Sequence, residues 1–147
     1  LVDGLTVGVG AGETEYDNTA TAGQEDGSSV VGYANYTMGS ITAGITMSES
    51  NNTRSATANT NAGGREVEAY GIAFAVNDDL SVSYNQHNMT YKNNGASADV
   101  EQESTGIAIA YTMGGAKIAI QNNEQDNSGG TSGTTDEITE ISLSLAF

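Results

Sequence analysis

His87, in the stretch NQHNMT, is the single histidine of the chain and the first side chain to weigh for acid–base work near neutral pH. No arranged partner accompanies it in the sequence, so it reads as a polar wall residue and no catalytic residue is expected. The chain has no cysteine, which removes disulfides, thiolate metal sites and thiol catalysis together. Carboxylates are the abundant chemical group: 19 Asp and Glu stand against four Lys and Arg, a formal net charge of −15. Glu13, Glu15 and Asp17, then Glu25 and Asp26, then Glu124, Asp126, Asp136 and Glu137 offer hard oxygen ligands suited to calcium, the one cofactor the composition leaves open. None has EF-hand spacing, and DNSGGTSGTTDE lacks the full nonapeptide calcium repeat, so a solvated acidic face is the plainer reading. Nucleic acid is excluded as a partner, because phosphate binding needs a basic stripe. The glycines of GVGAG make no dinucleotide site, since no helical pattern follows them.

The elements that must position these groups are strands. Period-2 alternation appears eight times, and helical periodicity does not appear over any useful window. The eight stretches are Leu5 to Tyr16, Val30 to Met38, Ile41 to Ser50, Arg65 to Val76, Leu80 to Lys92, Val100 to Met113, Ala116 to Asn123, and the final Ile141 to Phe147, which reads ISLSLAF. One face of each is apolar, as with Leu5, Val7, Val9 and Ala11, or Ile107, Ile109, Tyr111 and Met113. The other face is small and polar. An apolar fraction of 37% is low for a packed interior, so the apolar faces are not expected to meet in one compact core.

The connections alternate as regularly as the residues. Long polar ones follow the odd strands, and tight turns at Gly39-Ser40, Asn77-Asp78-Asp79 and Gly114-Gly115 follow the even ones. All long loops therefore fall at one end of the sheet. Sixteen of the 19 acids lie in those loops or beside them, and only Asp3, Asp78 and Asp79 mark the other end. Short turns at one end, longer loops at the other and charge-free apolar bands between are the pattern of a transmembrane antiparallel β-barrel of the bacterial outer membrane. In lipid every backbone donor and acceptor must be paired, so the terminal strand is expected inside the sheet, with Phe147 at the membrane interface. Tyr36, Phe74, Tyr84 and Tyr111 lie at similar distances from the short turns and are expected in the same aromatic girdle.

On this parity the lumen wall carries Asn35, Thr46, Asn85, His87, Lys117, Gln121 and Glu140 among many Gly, Ala, Ser and Thr residues. Lys117 and Glu140 are the charges placed to tune ion selectivity. Such small residues do not fill a closed eight-stranded interior, which disfavours a self-contained small barrel and suits the wall of a wider, water-filled one. Asp3-Gly4 reads as a two-residue type I′ turn, which needs a strand before it, so upstream strands are expected beyond residues 1–147, which form a single segment.

YGIAFAVNDDLSVSYNQ, TGIAIAYTMGGAKIAIQ and the terminal ISLSLAF resemble the hairpins and barrel-assembly signal of the general bacterial porins, the proteobacterial 16-stranded type, over their C-terminal half. The resemblance implies a trimeric outer-membrane channel for passive diffusion of ions and small hydrophilic solutes, without chemistry. It implies contact with lipid and with lipopolysaccharide bridged by divalent ions, and delivery by the barrel-assembly machinery through the Phe147 strand. The acidic mouth is expected to favour cations. The rival reading is a secreted or surface calcium-binding β-structure, an adhesin or fibre, which would stay soluble without detergent.

Overall fold

The computed structural model describes residues 2–15, 26–51, 63–93 and 98–146; Asp17, Glu25 and Phe147, all singled out above, lie outside them. The described residues form one eight-stranded antiparallel sheet in sequential order: β1 (Leu5–Thr14), β2 (Gly27–Met38), β3 (Ile41–Asn51), β4 (Arg65–Ala75), β5 (Leu80–Tyr91), β6 (Val100–Met113), β7 (Ala116–Asp126) and β8 (Thr135–Leu145). Each strand pairs with its neighbours in sequence, so the sheet is an open meander, and β1 and β8 are its two edges rather than partners. The all-β expectation holds; a closed barrel is not formed by these strands alone.

Three strands run three or more residues beyond the alternation. β2 starts at Gly27, β7 continues to Asp126 and β8 starts at Thr135, six residues before Ile141. Apart from Ile138 on the inward face of β8, the extensions carry no large apolar side chain, so hydrophobic periodicity could not reveal them, and ladder pairing to an already formed neighbour holds them in the sheet. Six of the 14 residues of EQDNSGGTSGTTDE are therefore strand, and the connection proper is residues 127–134.

The turns match their residues. Gly39 and Gly114 take positive φ (59° and 54°) at the first central position, the placement a II′ hairpin turn requires. Asn77 closes the wider turn by accepting the Asp79 and Leu80 backbone N–H groups at 2.9 and 2.8 Å. The Asp3-Gly4 turn departs from expectation: only Gly4 has positive φ (77°), so it is not type I′. Leu5 N–H still closes it onto the Val2 carbonyl at 3.2 Å. A methyl at Gly39 would meet nothing, whereas one at Gly4 would run into the Thr37 carbonyl oxygen. Gly39→Ala is accordingly expected to cost about 1 kcal/mol, the backbone penalty alone, and Gly4→Ala clearly more. Urea unfolding of the two variants side by side checks the order.

No apolar side chain among the described residues is buried. The sheet is a single layer with two unlike faces. The outward face carries Leu5, Val7 and Val9 on β1, through Ile45, Ile72, Val82, Ile109 and Ile120, to Ile141, Leu143 and Leu145 on β8. An apolar surface running across eight strands is far larger than soluble monomers expose without a partner.

Candidate functional site

The inward face curls round a trough of about 1020 Å³ lined from Asn35 on β2 to Ile138 on β8. Register places Thr6, Asn35, Gly44, Gly71, Asn85, Gly106, Asn123 and Ile138 in one row across the sheet. Two glycines of the row sit beside its carboxamides for a steric reason. A Cβ at Gly44 would overlap the Asn35 Oδ1, and one at Gly106 would overlap the Oδ1 atoms of both Asn85 and Asn123. Glycine thus lets the amides lie flat on the wall, as glycine in a strand does wherever another group approaches closely. Gly8 does the same for the Tyr33 ring.

Of the expected wall residues, Asn35, Thr46, Asn85 and His87 line this trough together with Ser104, Asn123 and Gln125. Lys117, Gln121 and Glu140 share the inward face but lie closer to the short turns, where the Gln121 amide donates to the Glu140 carboxylate. His87 sits between Ala69 and Ser104 across the strands, and the Ser104 hydroxyl donates to Gln125 Oε1 at 3.3 Å. No acid flanks the imidazole, so nothing on the neighbouring strands orients it as a base.

Charge is divided unequally between the faces. Described strand residues put two bases, Arg65 and Lys117, and two acids, Asp136 and Glu140, on the inward face. Glu13, Glu49, Glu66, Glu68, Glu101, Glu103, Glu124, Asp126 and Glu137 all point outward, at the long-loop end of their strands. The four carboxylates grouped as calcium ligands do not converge: Glu124, Asp126 and Glu137 face outward from paired strands, and Asp136 faces inward. Asn122 ties down Glu137 at 2.9 Å, and Thr135 donates to Asp126 at 2.6 Å. No group of three or more potential metal ligands occurs among the described residues. Asp26 lies just before β2. Beyond the end of β5, Lys92 bridges Glu66 at 2.8 Å and Asp99 at 3.6 Å; the hydrogen bond it donates to the Glu66 carboxylate leads in raising its pKa, against some desolvation.

The aromatic side chains separate into two levels. Tyr36, Phe74 and Tyr111 lie on the outward face three residues before their short turns, as expected. Tyr84 sits on the other side of the apolar band, beside Tyr70, and both hydroxyls donate to Gln86 Oε1, at 3.1 Å from Tyr84. Within one hairpin Phe74 pairs with Val82, so Tyr84 lies two residues farther from the shared turn than Phe74 does.

Sequence reasoning missed the β7–β8 connection as a structural element. Its 3₁₀ turn, Ser128–Gly130, folds onto the inward face of β6. Gln102 beneath it, 7% exposed, accepts the Gly129 N–H at 2.9 Å and the Tyr91 hydroxyl at 3.3 Å, and is the one buried polar side chain among the described residues. Asn127 and the Gly129-Gly130 pair pointed to a turn there, but nothing in the sequence said which face the loop would choose.

Comparison with known proteins finds no matching family, no matching characterised protein and no matching solved structure.

Proposed function

We propose that this chain forms eight strands of a 16-stranded, trimeric outer-membrane porin, a water-filled channel for passive diffusion of ions and small hydrophilic solutes. One observation carries the reading: the outward apolar band crosses the sheet obliquely and at a constant rate. Through the ladder pairs Gly8 on β1 is level with Ala69 on β4 and Asp136 on β8. The band is centred on Gly8 in β1, three residues beyond Ala69 at Ile72 in β4, and seven beyond Asp136 at Leu143 in β8. The drift is one residue per strand.

With about 3.3 Å per residue along a strand and about 4.8 Å between strands, that drift inclines the band by about 35° to the ladder rows. Strands of membrane barrels tilt by roughly 35–45°, so a band lying in the plane of a bilayer must cross their ladders at this kind of angle. Nine outward acids lie on its long-loop side and none within it. The edges of β1 and β8 present unpaired backbone groups, which in lipid have to be met by further strands.

Single-channel recording of detergent-extracted protein in a planar bilayer tests the proposal. Stepwise insertion of a stable conductance that closes in three substeps is expected. Protein that stays soluble without detergent and gives no conductance would replace it with the surface-fibre reading.

A further inference from the structure

We infer that the β7–β8 connection, residues 127–134, is a fixed size filter folded into the mouth of the trough. The inference rests on the pore reading for its functional half and on hydrogen bonds of the described residues for its structural half. Tyr91, Gln102, Ser104 and Gln125 all belong to the inward face of β5, β6 and β7, so a segment bonded to them occupies space inside the curve of the wall. The Gln102 Oε1 accepts from Gly129 N–H, and its amide donates to Ser104 Oγ at 3.4 Å. Gln125 then donates to Ser128 Oγ at 2.8 Å, so the 3₁₀ turn is held from β6 and β7 together.

Packing adds to the polar contacts. A Cβ on Gly130 would come within 2.9 Å of the Tyr91 ring, so the backbone itself lies against that ring, which Arg65 also approaches at 5.1 Å. The loop is internally braced as well. Asn127, in the left-handed region, accepts the Gly133 N–H and donates to the Glu101 carbonyl, both at 2.8 Å. A gate needs a second arrangement close in energy. A loop whose buried amide, hydroxyls and glycine contact all serve one position is instead a permanent narrowing, and its neutral Ser, Gly and Thr residues discriminate by size rather than by charge.

Two independent lesions unseat it: Gln102→Leu removes the acceptor, and Gly130→Val puts a side chain against the Tyr91 ring. Vesicles carrying the full chain would be assayed for entry of a neutral trisaccharide relative to a neutral monosaccharide, with amide exchange at Gly129 followed in parallel. Widening a pore constriction should raise the entry ratio by roughly twofold or more in both variants. Loss of one hydrogen bond should speed Gly129 exchange by about tenfold. Fast Gly129 exchange in the unaltered protein would overturn the docking. Faster exchange in the variants with an unchanged entry ratio would overturn the filter while leaving the pore standing. Vesicles impermeable even to the monosaccharide would overturn the pore reading, and the filter with it.

Discussion

Arginine at Ile72 will destabilise the bilayer-folded protein by about 2–4 kcal/mol, the cost of a cation near the middle of a lipid-facing barrel surface. Arginine at the adjacent Ala73 will change stability by no more than about 0.5 kcal/mol, as is usual for a solvated surface site. The contrast follows from strand geometry. Ile72 is outward at the centre of the apolar band, while Ala73 lies inward between Thr42 and Ser83 along the trough. In the proposed porin, consecutive residues would thus meet lipid and water through one backbone. Urea unfolding in lipid vesicles measures both, and equal losses at the two positions would mean that the faces do not differ in solvent. A series along β4 sharpens the test: the penalty should be largest at Ile72 and decline at Glu68, which is outward but beyond the band.

Cation preference will be strong in dilute salt and will fade as salt is added. The inward face of the described strands balances two bases against two acids, whereas nine carboxylates stand on the outward face at the long-loop end. In the proposed channel those carboxylates would act on the lumen through the wall and around its rim. At about 0.01 M salt the screening length is roughly 30 Å and their field reaches the mouth; at 1 M it is roughly 3 Å and does not. Reversal potentials measured across a series of potassium chloride gradients should move from several-fold cation preference towards none. Glu140→Lys alters a charge within the lumen itself, so its shift towards anions should persist at high salt. Anion preference at low salt, or a preference indifferent to salt, would overturn the assignment of selectivity to the outward carboxylates.

Strand number, strand order and the sorting of side chains between faces were legible in the sequence, because alternation encodes them directly. Leu80, Val82 and Tyr84 lie together on the outward face and Ser81, Ser83 and Asn85 on the inward one, as period two demands. Strand ends were not legible where both faces become polar: Glu124 to Asp126 and Thr135 to Glu137 extend their strands with no apolar residue to mark it. The oblique band was present in the sequence but invisible until the ladder supplied a level line for each strand. That Asn35, Asn85 and His87 share the face that lines the trough was legible from parity alone. The role of Gly44 and Gly106 needed the rotamers of their asparagine neighbours, and the fold of residues 127–134 depended on Gln102, 25 residues before the loop begins.

Every ladder in this sheet joins strands adjacent in sequence, and each pair of strands linked by a short turn is a self-contained hairpin. Wall width is therefore a matter of how many hairpins are strung together. A hairpin inserted or lost within one of the long connections would change the circumference by two strands while leaving the register inside every other hairpin as it was. The even spacing of the band, one residue per strand, would carry through such an addition unchanged. Gene segments encoding a hairpin can thus be duplicated without redesigning their neighbours, so a chain built this way can evolve pores of different diameter by copying.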